Sequence, residues 1–141
     1  MAADTRSSVI PCLRYRDARA AIAWLCRAFG FREHAVYADG DLVAHAQLTF
    51  DNGMVMLGSV DNASAWGRLH VQPEDIGQRE TQSCCVVVAD VDAHYARATA
   101  AGAQVVIEIA DQDYGGRGYA CRDPEGHLWW FGSYDPWATQ D

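Results

Sequence analysis

Asp17 and Asp90 each close a short apolar run and open a helical stripe, and the rest of the chain's punctuation recurs at the same distance. Gly30 answers to Gly102, and Gly58-Ser59 answers to Gly132-Ser133, all at an offset of about 73 residues. In the first copy, Val9 to Tyr15 reads as a strand, and Asp17 caps the helix behind it by accepting a free backbone N–H. Ala18, Ile22, Leu25, Cys26 and Phe29 fall on one helical face, which Gly30 terminates. Three strands follow: Phe31 to Tyr37, Leu42 to Phe50, and Met54 to Ser59, the last two joined by the turn Asp51-Asn52-Gly53. In the second copy the strand is Cys84 to Ala89, the stripe Val91, Tyr95 and Ala98, and Gly102 ends it. Its last strands are Gln104 to Ile109, Gly118 to Arg122 and His127 to Ser133. The expected fold is therefore α+β: two βαβββ modules in one domain, over residues 9–59 and 83–134. Residues 1–8 read as a frayed tail, 60–82 as a cover or a linker, and 135–141 as a C-terminal tail.

Composition narrows the function. A formal charge of −8 argues against a nucleic-acid partner, which needs a basic face for phosphates. No apolar run approaches the roughly 18 residues of a membrane span, and the first residues lack the apolar stretch of a secretory signal, so the expected compartment is the cytoplasm. Five cysteines, an odd number with no Cys-x-x-Cys pair, fit neither a disulfide framework nor a structural zinc site. They read as small apolar groups, with Cys12 or Cys85 the ones to face a pocket.

Two polar groupings stand out. His45 and Gln47 share one face of a strand with Val43 and Thr49, while Ala44, Ala46, Leu48 and Phe50 form the other, helix-facing side. A His beside a Gln can bind a ligand or move a proton, or can simply be a half-solvated, hydrogen-bonded pair. In the loop Asp111 to Tyr119, three glycines let the backbone flex, and Tyr114, Arg117 and Tyr119 can grip a ligand at a rim. The alternative is a tight turn with Arg117 paired to Asp111 or Asp113. His34, His70 and His94 read as surface residues, and Asp123 and Glu125 as turn residues.

Arg14-Tyr15-Arg16-Asp17-Ala18, Trp24, Phe29-Gly30-Phe31 and Arg122-Asp123-Pro124-Glu125-Gly126-His127 together resemble the vicinal oxygen chelate superfamily, the group of glyoxalase I, extradiol dioxygenases and the fosfomycin- and bleomycin-resistance proteins. The resemblance spans Val9 to Tyr134 and implies paired modules whose curved sheets enclose a cavity. It also implies four metal-ligand positions on the first and last strand of each module. These fall near Ile10, Met56, Ser83 and Trp130, none of which is His, Glu or Asp. Neither an apolar side chain nor a thioether suits the ions of this chemistry, so no metal and no other cofactor is expected.

Strand alternation then adds Cys12, Cys85 and Leu128 to Ile10, Met56, Ser83 and Trp130 as an apolar, sulfur-rich, aromatic lining for a small organic molecule. The same residues could instead fill the cavity as plain core. Three functions follow: a metal-free binding protein, a lyase, isomerase or dioxygenase with a relocated metal site (His45 with Glu108 or His127), and a structural domain with a filled cup. By analogy with relatives, a homodimer is expected, with Trp137 and the tail near its interface.

Overall fold

A computed structural model describes residues 7–138. Most of the expected N-terminal tail (1–6) and the end of the C-terminal tail (139–141) lie outside the described residues. The first module runs β1 (Cys12–Tyr15), α1 (Ala18–Phe29), β2 (Arg32–Asp39), β3 (Leu42–Phe50) and β4 (Gly53–Ser59). The second runs β5 (Cys84–Val87), α2 (Val91–Ala100), β6 (Gln104–Asp111), β7 (Arg117–Arg122) and β8 (Leu128–Gly132). Between them, the segment from Val60 carries two short 3-10 turns, Gly67–Leu69 and Pro73–Ile76.

Each module makes a four-stranded mixed sheet, in the orders β1-β4-β3-β2 and β5-β8-β7-β6. The β1/β4 and β5/β8 pairs are parallel, because a helix lies in the connection, and the hairpin neighbours are antiparallel.

The internal repeat is written in hydrogen bonds. Asp17 caps α1 through Ala20 N at 3.1 Å, and Asp90 caps α2 through Ala93 N at 3.0 Å. Ser59 Oγ accepts from Val43 N and Ser133 Oγ from Arg117 N, both at 2.9 Å. Gly30 takes the left-handed conformation that stops α1 (φ +84). In the second module Ala101 is the C-cap and Gly102, one residue later, takes the positive φ of +97.

The helix-facing sides of both sheets and both helices feed a single core. Phe29, at the end of α1, is completely buried and packs against Trp24, Trp129 and Phe131 at ring-centroid distances of 4.8, 5.3 and 4.5 Å. The helices are tied across the junction: Trp24 Nε1 donates to the Ala101 carbonyl at 2.7 Å, and Arg97 Nε to that of Arg27 at 2.8 Å.

One expected face pattern changes. Tyr37 pairs with His45 while Ala38 pairs with Val43, so Ala44 is an extra residue in β3. This bulge reverses the alternation: Val43 turns into the core at 1 % exposure and Ala44 points out. Val43 therefore leaves the face of His45 and Gln47.

Candidate functional site

The candidate lining residues lie on the sheet faces turned away from the common core. On the first sheet, the register sets Cys12 beside Met56, Met56 beside Gln47 and Gln47 beside Ala35. Leu13 and Tyr15, Val55 and Leu57, and Ala46 and Leu48 alternate with these residues and are buried on the helix side. Gln47 Nε2 lies 3.0 Å from His45 Nε2, and His45 stacks on Tyr37 at 6.1 Å. The two polar side chains are thus partnered with each other on a half-open face. Ile10 is half-buried and precedes β1.

On the second sheet the matching row is Cys85, Trp130, Ala120 and Ile107. Its centre is a slab. A Cβ on Gly118 would come within 2.6 Å of Trp130 Cζ2, and one on Gly132 within 2.8 Å of Trp130 Nε1. The indole therefore lies down across Gly132 of its own strand and Gly118 of the neighbouring β7, and only glycine leaves room for it. Among the described residues, Trp130 Nε1–H has no hydrogen-bond partner. The opposite-face neighbours Trp129 and Phe131 are at most 1 % exposed, so one strand carries a core indole and an outward indole in succession. Leu128 is half-buried on the Trp130 face, Cys85 is exposed, and Ser83 is exposed just ahead of β5.

The structure thus brings Cys12, Met56, Gln47 and His45 together on one sheet, and Cys85, Trp130 and Leu128 together on the other. It does not bring the two sets to each other within one chain, because both sheets turn their inner faces to the same core. A cavity of about 480 Å³ lies elsewhere, between α1 and the β7–β8 turn, lined by Ala20, Trp24, Asp123 and Pro124 among others.

The glycine loop behaves in three ways. Tyr114 is exposed and meets Tyr134 edge-on at 5.3 Å. Arg117 pairs with Asp111 at 3.3 Å and with Asp92 at 3.1 Å, and not with Asp113. Tyr119 is a correction: it alternates with outward-facing Gly118 and Ala120, so it points into the core, completely buried.

His94 is also a correction. Its Nε2 donates to the Phe29 carbonyl at 2.9 Å and its Nδ1 lies 2.7 Å from Tyr119 Oη, a half-buried link between the modules. Burial lowers its pKa, so the neutral ring, accepting from the phenol, fits the geometry.

The turn residues were underestimated by sequence reasoning. Asp123 is 4 % exposed and accepts from Tyr15 Oη at 2.6 Å, Trp129 Nε1 at 3.1 Å and the backbone of Glu125 and His127. The Asp-Pro-x-Gly spacing was the available signal, but it announces a turn and not a buried carboxylate. Gly118 and Gly132 were equally missed as the floor beneath Trp130.

These residues do not suit a divalent ion. At the positions that the resemblance assigns to ligands, Ile10 offers no donor, Met56 a soft thioether, Ser83 a neutral hydroxyl and Trp130 an N–H that cannot accept. A relocated set also fails: Glu108 accepts from Tyr95 Oη, His127 is buried against Glu80, and His45 lies on the outer face of the other module's sheet. Among the described residues, no three His, Cys, Asp or Glu side chains converge. Burial raises the Cys84 and Cys121 thiols to about 12, which leaves them protonated and unreactive. No helix among the described residues is long and apolar enough to cross a membrane.

Comparison with known proteins agrees with this architecture. The model of the Glyoxalase/Bleomycin resistance protein/Dioxygenase superfamily matches residues 8–131. An uncharacterized protein of Mycobacterium bovis is 34% identical over 134 residues, covering 94% of this chain and 86% of the relative. The crystal structure of TioX from Micromonospora sp. ML1 superposes with a TM-score of 0.68 at 35% identity, covering 89% of this chain and 97% of that one. A bleomycin resistance determinant encoded on the transposon Tn5 gives a TM-score of 0.65 at 20% identity, over 92% and 98% of the two chains, a likeness of fold alone.

Proposed function

The chain belongs to the glyoxalase/bleomycin resistance protein/dioxygenase superfamily, and on that premise we propose that it binds a small, partly hydrophobic, planar organic molecule without a metal. The observation that carries this reading is the indole of Trp130, laid over Gly118 and Gly132 with its N–H unpartnered among the described residues. A flat π-face suits stacking, and a free donor at its edge suits one acceptor on the ligand. Around it stand Cys85, Leu128 and Ile107, all uncharged.

One face supplies only one wall, whereas a small-molecule site encloses most of its ligand. Tyr37, Val87 and Ile107 are 60 %, 38 % and 54 % exposed on these outer faces, apolar area that a partner would cover. The reading therefore includes a twofold homodimer in which the Met56–Gln47 face of one protomer closes over the Trp130 face of its partner. This gives His45 and Gln47 a role as adaptable polar contacts opposite the indole.

The test is a thermal-shift and tryptophan-fluorescence screen of planar aromatic compounds, run alongside sedimentation analysis. A hit is expected to raise the Tm of the wild type, quench its fluorescence and lose about tenfold or more in affinity with Trp130→Leu, in line with stacking worth 0.5–1.5 kcal/mol plus burial. Binding unaffected by Trp130→Leu, a strictly monomeric complex, or stoichiometric Mn, Fe, Ni or Zn in chelator-free protein would each refute the corresponding part of the reading.

A further inference from the structure

His127 sits where three separate parts of the chain meet. Its Nδ1 lies 2.7 Å from Glu80 Oε1, in the segment joining the modules, and its Nε2 lies 2.8 Å from the Arg14 carbonyl, in β1. Carboxylate and carbonyl oxygens only accept, so both ring nitrogens must donate. Only the imidazolium has two N–H groups. The side chains of His127 and Glu80 are 8 % and 14 % exposed, so water does not substitute freely for either bond. The same Arg14 carbonyl also accepts from Gln72 Nε2 at 2.8 Å, and Arg16 pairs with Asp75 at 2.9 Å, so the joining segment is docked along the end of β1.

The groups facing the ring agree on its charge. Glu80 approaches from the joining segment. Asp123, in the turn, accepts from the backbone N–H of His127 itself at 3.1 Å. Tyr15, from β1, presents its uncharged ring at 4.8 Å. Cys84, at the start of β5, is a protonated thiol. Burial alone lowers the His127 pKa, but the Glu80 hydrogen bond, the Asp123 charge and the Arg14 carbonyl outweigh it and leave the group raised.

We propose that His127 is a pH-operated latch: its cation clamps the joining segment to the first module, and its deprotonation releases residues 78–82. A neutral ring keeps one N–H, so one of the two bonds is lost. In either tautomer the largely buried Glu80 carboxylate loses its cationic partner, and with the remaining proton on Nε2 it keeps only the long 3.5 Å contact from Leu128 N. The inference stands independently of any ligand.

The test combines NMR titration of the histidine side chains with hydrogen exchange of the full chain from pH 5 to 10. His127 is expected to titrate above the ordinary histidine value. Exchange at residues 78–82, corrected for base catalysis, is expected to accelerate about tenfold across that same step, while amides of α1 do not respond. Glu80→Gln keeps an acceptor but removes the charge, and is expected to move the titration and the exchange step to lower pH together. A His127 that titrates at or below the ordinary value, or an exchange step that stays in place in Glu80→Gln, would overturn the latch.

Discussion

The two modules share a hydrogen-bonding frame and differ in what they hang on it. Asp17 and Asp90, and Ser59 and Ser133, do the same work at matching places. The outward rows also match in register, Cys12 beside Met56 and Cys85 beside Trp130. The side chains have diverged. Helix α1 buries seven residues, including Trp24, Leu25 and Phe29, whereas α2 buries only Val91 and Ala98. The second module returns the difference from its sheet, through Tyr119, Trp129 and Phe131. A repeated backbone can thus carry an unequal division of labour: one module supplies the core helix, the other the aromatic slabs, inside and out.

The hardest blow to this division is Phe29→Ala. Phe29 touches aromatic rings of both modules and is completely buried, so its loss is expected to cost about 3–5 kcal/mol. Urea unfolding should show it as one cooperative transition moved to lower denaturant. Val91→Ala, in the poorer helix, is expected to cost clearly less. Equal costs, or a transition that splits in two, would mean that the modules do not share a core.

A second measure concerns the outer faces. Gly118→Ala places a methyl group against the indole of Trp130 and 3.0 Å from the Phe131 carbonyl. The expected cost is about 1–3 kcal/mol in chemical denaturation, accompanied by a changed tryptophan emission as the ring is lifted. Gly40→Ala meets nothing within 4 Å and tests a positive-φ turn alone, so it should leave the emission unchanged.

How much of this was legible follows from range. The modules, both caps and the β3–β4 turn come from local chemistry, which a sequence displays directly, whereas the row containing Met56 and Trp130 comes from the family resemblance, and alternation only extends it. The bulge at Ala44 does not, because nothing in Leu-Val-Ala-His marks where an extra residue is absorbed. Nor do His94, Tyr119, Asp123 and His127. Whether a polar side chain is buried depends on partners that lie 108 residues away for Asp123 and 113 for His127. The split of the lining between two sheets was hidden for the same reason: alternation tells which residues share a face, and not what that face looks at.

The caps give a smaller effect and a sharper symmetry test. Asp17→Ala and Asp90→Ala are each expected to cost about 1 kcal/mol, since each removes one acceptor from a first-turn N–H. The backbone N–H of Asp17 is separately held by Glu125 Oε2 at 3.0 Å, which keeps the start of α1 in place when its cap is lost. Thermal unfolding of the two variants should therefore differ little, with Asp90→Ala no milder than Asp17→Ala.

The smallest expected effect breaks the symmetry most cleanly. Both junction histidines belong to the second module, and each donates to a backbone carbonyl of the first, Phe29 for His94 and Arg14 for His127. One ring is held neutral and the other cationic, so their pH dependence is opposite. The His94 pKa is lowered on folding, so the unfolded chain binds the proton more readily; its stabilisation is complete above the unfolded histidine value and is lost as pH falls. The His127 pKa is raised, so its stabilisation is complete below that value and is lost as pH rises through the folded one. His94→Gln should then flatten the acid side of the stability–pH curve and leave the alkaline side intact, and His127→Gln the reverse. A single variant that flattened both limbs would show that the two rings titrate as one coupled unit, and the second module would no longer hold the first through two independent hands.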